Sequence, residues 1–250
     1  MTNLLGEFLG TMTLVVFGDG LVACALLNKS KGQNAGWVHI TIGWGAAVVM
    51  GVFAATSLGA PQADINPAVT LAKMLAGTYS LQHAVMTMLV QVAGGILAGV
   101  IVWLVYLGHW EATEDKGLKL AVFSTGPAIR NPVNNFITEM IGTVFLVVPI
   151  MFIFSPGVKE ALGGLAPGFG PFLVGWLVMV IGMALGGPTG YAINPARDLG
   201  PRIAHFILPI AGKGDSDWGY SWIPVVGPII GGLAAAALYA ALLQGAAVLT

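Results

Sequence analysis

Charge is what this chain lacks most. Asp, Glu, Lys and Arg make up 8% of its 250 residues, ten basic against eleven acidic, for a formal charge of -1. So thin and even a balance offers nucleic acid no electrostatic footprint and an anionic membrane surface no basic patch. Cysteine is nearly absent. Cys24 stands alone, so no internal disulfide forms, and no Cys/His cluster has metal-ligand spacing. There is no Ser/His/Asp arrangement and no phosphate loop, so the sequence predicts no enzyme, no metal and no cofactor. Residues 1–20 hold no Lys or Arg. That argues against reading "LVAC" at 21–24 as the cleavage box of a removed leader, and the first apolar run is kept as a span.

What fills the chain instead is apolar. Hydrophobic residues reach 56%, glycines number 36 and the mean hydropathy is +0.85. A soluble domain of this length has too little polar surface to cover so much. The chain reads as an all-α integral membrane protein. Six stretches are long enough for the roughly 20 helical residues a bilayer crossing takes: 4–27, 37–58, 82–107, 133–154, 169–186 and 221–244.

Two further segments are too apolar for loops and too broken for full spans: "GAPQADINPAVTLAKMLAG" and "GGPTGYAINPARDLGPRIAHFIL". In each, an Asn precedes a Pro, which is a helix start: Asn66 and Asn194 as N-caps, Pro67 and Pro195 at the first helical position. About ten helical residues at 1.5 Å each cover half of a ~30 Å hydrocarbon core. These are predicted to be half-helices.

The two halves of the chain repeat one another. Glu7, Gly10 and Thr11 correspond to Glu139, Gly142 and Thr143 at a separation of 132, and the two asparagines lie 128 apart. Each half holds three spans, an odd number, so the second half enters the membrane in the opposite direction. The prediction is a single channel domain over 1–250 built from inverted repeats at about 1–107 and 133–250, joined by a loop at 108–132. Such repeats put their sites near the midplane, where broken helices meet.

Half-helices that start at the middle from opposite sides bring their N-termini together. Each presents partial positive charge and unpaired backbone N–H groups, so the centre repels protons and cations. If Asn66 and Asn194 cap through their carbonyl oxygens, their NH2 groups stay free to donate to a passing solute. The non-helical lead-ins, 59–65 and 187–193, belong in protein or along a wet cavity, where their carbonyls form a ladder of acceptors. A neutral solute bearing hydroxyls finds both, offsetting a desolvation cost of roughly 4 to 8 kcal/mol per unpaired hydroxyl.

The paired Asn-Pro-Ala boxes, Asn66-Pro67-Ala68 and Asn194-Pro195-Ala196, the six spans and the repeated Glu-x-x-Gly-Thr resemble the major intrinsic protein family of aquaporins and glycerol facilitators. The resemblance covers nearly the whole chain. It implies six transmembrane helices plus two re-entrant half-helices, a homotetramer with one pore per subunit, and a multi-pass protein of the plasma membrane with both termini cytoplasmic. In that orientation eight of the ten Lys and Arg lie outside, with only Lys73 and Lys159 within, opposite to the positive-inside rule.

By position, the family's outer constriction falls on Trp44, Gly182, Tyr191 and Arg197, and the passage runs past Leu14, Val48, Ile65, Val178 and Ile193. A glycine and two aromatics resemble the glycerol-facilitator branch, as does Asp198 after Arg197. Trp44 and Tyr191 would form an apolar corner for a carbon backbone while Arg197 donates to adjacent hydroxyls, and Gly182 leaves room for carbon. Tyr191 stands where these facilitators usually have phenylalanine, and Asp64 stands where the family has a histidine. Asp64 either pairs locally or modulates the inner mouth. Asp198 is expected to orient the outer half-helix near its start.

Glu7 and Glu139 are ionisable groups in apolar spans. Their repetition favours structural brackets for the re-entrant loops, as the family resemblance implies. Asp19 has no counterpart in the second half and reads either as vestibule lining or as a hydrogen-bonded core residue. The four histidines read as interfacial or structural, and "HWEATEDKGLK" at 109–119 as a solvated loop. The functional expectation is a passive pore for glycerol and other small neutral solutes, with water. A proton-coupled transporter using Glu7, Glu139 and Asp19 is the alternative, and a scaffold with a closed pore a weaker third.

Overall fold

The computed structural model describes residues 2–161, 163–166 and 168–248; Met1, Leu162, Pro167, Leu249 and Thr250 lie outside the described residues, as do the side chains of Lys159 and of residues 244–248. The described residues form helices and loops in the order α1 (Leu4–Leu26), α2 (Gly36–Ser57), α3 (Pro67–Leu75), α4 (Leu81–Val105), α5 (Leu107–Ala112), α6 (Lys116–Phe123), α7 (Pro132–Ile153), α8 (Pro156–Ala161), α9 (Phe169–Leu185), α10 (Pro195–Ile207) and α11 (Ile223–Val248). Five are long and apolar enough to cross a membrane: α1, α2, α4, α7 and α11. The sixth span, α9, has 17 residues, about 26 Å at the helical rise and the short end of what spans a bilayer.

The repeat predicted from the sequence is visible in the packing. α1 packs on α2 and α4 in the first half, and α7 packs on α9 and α11 in the second. The half-helices are exchanged: α3, from the first half, lies against α11, and α10, from the second, lies against α4. Glycine makes this close approach possible at two positions. A Cβ on Gly95 would meet the Ala196 carbonyl oxygen at 2.6 Å, and one on Gly232 would meet that of Ala68 at 2.6 Å. Each half-helix start is thus pressed backbone to backbone against the helix behind it.

The connection at 108–132 departs from the sequence reading. It contains α5 and α6, and the 109–119 stretch is not a solvated loop. Trp110 is buried and donates its Nε1 to the Trp103 carbonyl at 2.9 Å. Lys119 is buried and donates to the Ala211 carbonyl, while Phe123 packs on Trp110 and His205. The apolar stripe is only two turns long, too short for a periodic signal, and its partners lie far off in sequence.

Candidate functional site

The site begins with two helix starts. Asn66 caps α3, its Oδ1 accepting from the Ala68 amide at 2.9 Å. Asn194 caps α10, accepting from the Ala196 and Arg197 amides at 3.0 and 3.3 Å. Pro67 and Pro195 hold the first helical positions, where no N–H is needed.

The two caps are joined. Asn66 donates its Nδ2 to the Ile193 carbonyl at 2.8 Å, and Asn194 donates its Nδ2 to the Ile65 carbonyl at 2.8 Å. The sequence reading left both NH2 groups free, whereas each spends one of its two N–H bonds on the opposite repeat. One donor per asparagine remains.

The lead-ins carry backbone strain at matched places. Ala63 and Ile65 have φ of 42° and 43°, and Tyr191 and Ile193 have 39° and 43°, a left-handed region that costs a non-glycine residue about 1–2 kcal/mol. Two buried carboxylates hold the strained turns. Glu7 accepts from the Asp64 and Ile65 amides at 2.9 and 2.8 Å. Glu139 accepts from the Ala192 and Ile193 amides at 3.0 and 2.9 Å. Carboxylate acceptors are the strong kind for backbone donors.

The first repeat adds a polar chain that the sequence reading missed. Gln91 of α4 donates to both Glu7, at 2.9 Å, and Thr70, at 3.0 Å. Thr70 donates to Asp64 at 3.0 Å, and Lys73 donates to Asp64 at 2.5 Å and to the Gln62 carbonyl at 2.9 Å. Asp64 therefore pairs locally. Gln91, an amide in the middle of an apolar span, was the signal in the sequence.

Asp198 stands in the first turn of α10 and is also hydrogen-bonded to other segments. It accepts from the Thr125 amide and hydroxyl, both at 2.7 Å, and from Arg202 Nε at 2.8 Å. Arg202 in turn donates to the carbonyls of Ser216 at 2.8 Å and Thr125 at 3.0 Å. A fully buried pair thereby ties α10 to the segments on either side of it. The i, i+4 spacing of Asp198 and Arg202 was legible, but their long-range partners were not.

A cavity of about 260 Å³ runs beside the caps. At one end stand Trp44, Tyr191 and Arg197, at the other Thr56, Gln62, Asp64 and Lys73. Between them it passes Asn66 and Asn194, with Leu14, Val48, Ile65, Val178 and Ile193 along its walls. The wall is mostly apolar, broken by the two amides and the strained backbone.

At the first of these ends Arg197 sits with its Cζ 4.1 Å from the centroid of the Trp44 ring, a cation–π arrangement. Gly182 is not empty space. A Cβ there would lie 2.6 Å from Tyr191 Cζ, so the tyrosine ring fills the room that the glycine leaves. Trp37 fixes it, donating Nε1 to the Gly182 carbonyl at 3.0 Å and meeting the Tyr191 ring edge-on. Trp44 Nε1, Tyr191 Oη and Arg197 Nη1 are buried without a partner among the described residues, and buried polar atoms of that kind await one.

The model of the major intrinsic protein family matches residues 1–239. The chain is 52% identical over 237 residues, 95% of each sequence, to glycerol uptake facilitator protein 3 of Lactiplantibacillus plantarum. It is 51% identical over 239 residues, 96% of this chain and 98% of the relative, to a probable glycerol uptake facilitator protein of Thermotoga maritima. The X-ray structure of the aquaglyceroporin from Plasmodium falciparum superposes with a TM-score of 0.82 over 99% of this chain and 98% of that one, at 24% identity, a likeness of fold. Capped half-helices, matched glutamate brackets and whole-chain similarity converge: this chain is a multi-pass membrane protein that belongs to the major intrinsic protein family.

Proposed function

We propose that the chain is a passive channel for glycerol and other small neutral solutes, with water, and that it excludes ions and protons. The observation that carries this reading is the joined pair of caps beside a continuous cavity. Two helix N-termini meet there, so a cation at the centre faces two partial positive charges. A hydroxyl oxygen finds the remaining N–H of Asn66 and of Asn194, and a hydroxyl proton finds the lead-in carbonyls. The relatives named as glycerol uptake facilitators support glycerol as the solute.

Selection falls to the narrow end. Trp44 and Tyr191 offer apolar faces to a carbon backbone, and Arg197 donates to hydroxyls from a fixed planar fork. Asp64 and Lys73 lie at the other mouth, which we assign to the cytoplasmic side together with both termini, in a plasma-membrane homotetramer. Asp64 modulates entry there by holding the Lys73 ammonium aside.

A carrier driven by protons through Glu7 and Glu139 is the weaker reading, because both carboxylates are engaged with fixed backbone donors. We assign no covalent chemistry and no cofactor. Reconstitution into liposomes tests the proposal: stopped-flow light scattering under a glycerol gradient gives equilibration well ahead of protein-free vesicles, with a rate that does not saturate. Saturation at millimolar glycerol, or no gain over empty vesicles, contradicts it.

A further inference from the structure

Five carboxylates are buried in or beside the spans: Glu7, Asp19, Asp64, Glu139 and Asp198. Four of them accept at least two hydrogen bonds each. Asp19 is the exception. It is fully buried in α1, and both of its carboxylate oxygens lack a donor among the described residues. The residue 132 positions on is Met151, so this carboxyl is not part of the framework the two repeats share.

The group beside Asp19 is the filter arginine. Arg197 Nη1 lies 3.8 Å from Asp19 Oδ1 and is itself buried without an acceptor. A carboxyl kept for packing alone would be hydrogen-bonded, and a lone buried charge is costly. A guanidinium does not give up its proton in a protein, so its field is cancelled only by an anion close by. The other acidic neighbour, Asp198, is committed to Arg202 and Thr125. That leaves Asp19.

From this geometry we infer that Asp19 is a specificity-determining counter-ion, acting through Arg197: it cancels the guanidinium charge from behind, so that the filter offers hydrogen-bond donors to neutral solutes without gathering anions. The inference rests on the filter reading above. Asp19 is a positioning and charge-setting residue, since it meets Arg197 rather than the solute.

The test is glycerol flux through the reconstituted full-length chain, with sodium iodide added equally on both sides. Iodide is a weakly hydrated anion that does not protonate at neutral pH. The unmodified protein is inhibited by it only at high concentration. In Asp19→Asn, which keeps the shape, the iodide concentration that halves glycerol flux drops at least about tenfold, the lower scale on which an uncompensated charge in a low-dielectric cleft concentrates counter-ions. Adding Arg197→Gln to Asp19→Asn abolishes that sensitivity, which a merely structural role for Asp19 would not do. Each variant is normalised to its own flux without iodide.

If Asp19→Asn does not fold, Asp19→Ser, smaller and equally uncharged, decides, with the same drop expected. Iodide sensitivity unchanged in the uncharged variant, or persisting in the double variant, overturns the inference while leaving the channel reading intact. Absence of glycerol flux from every form, the parent included, overturns the channel reading and the inference with it.

Discussion

The ring of Tyr191 occupies the space that Gly182 leaves, with Tyr191 Cζ 2.6 Å from where a Cβ on residue 182 would stand. On the proposed channel reading, Gly182 sets the passage by seating an aromatic, and the tyrosine sets it by staying seated. Gly182→Ala forces the ring toward the cavity, since Trp37 closes the other side. Overpacking of this kind costs typically 1–3 kcal/mol, and glycerol permeability should fall by about tenfold or more. Adding Tyr191→Ala should restore it. Stopped-flow permeability of the two variants checks this, and an unchanged rate in Gly182→Ala would contradict the seating.

Arg197 stacks on Trp44, and both line the cavity at the end where Tyr191 stands. Arg197→Ala or Trp44→Ala should widen it, so that four- and five-carbon polyols gain permeability relative to glycerol while glycerol itself still passes. The measured quantity is the permeability ratio across a polyol series. A channel dead to every solute in either variant would count against the filter assignment.

Glu7 and Glu139 each hold two backbone amides of a strained turn. A glutamine presents one acceptor and one donor where two acceptors are needed, and each buried donor left unpaired costs about 1–3 kcal/mol. Glu139→Gln should therefore lower thermal stability in detergent, and Glu7→Gln should do so at least as sharply, because Thr2 and Gln91 also donate to Glu7 and lose an acceptor with it. Thermal unfolding followed by size-exclusion chromatography measures both. Stability equal to the parent, with loss of pH-gradient-driven uptake, would instead favour a proton relay.

Asp64 binds Lys73 at the other end of the cavity. Asp64→Asn removes the anion and frees the ammonium into the entrance. Glycerol permeability should change by about twofold or more and become dependent on ionic strength, because an exposed charge is screened by salt. Permeability unchanged at every salt concentration would remove Asp64 from the account of the mouth.

How far the sequence carried is clearest residue by residue. Asn66-Pro67 and Asn194-Pro195 announced the half-helices because a helix start has a local chemical signature, and the glutamate repeat announced the pseudo-symmetry. The bond from each asparagine to the other repeat was not legible, since Asn66 and Ile193 are 127 residues apart and only the closed fold brings them together. α5 and α6 escaped for a related reason: their charged residues read as a solvated loop, yet Lys119 and Trp110 find carbonyls within the protein. Asp198 was legible by its position in the first turn of α10, whereas its hydrogen bonds to Thr125, 73 residues away, were not. Gly182 read as open room because no local pattern says which distant ring will fill it.

Two short helices meet at their capped N-termini beside the cavity, and the proposed channel requires that this junction pass hydroxyls and turn protons back. The most direct measurement places a pH-sensitive dye inside proteoliposomes and records it alongside light scattering while a glycerol gradient, then a pH gradient, is imposed. Rapid glycerol equilibration with internal pH no less stable than in protein-free vesicles is the predicted result. Proton movement that keeps step with glycerol, or glycerol uptake that follows the imposed pH gradient, would contradict it.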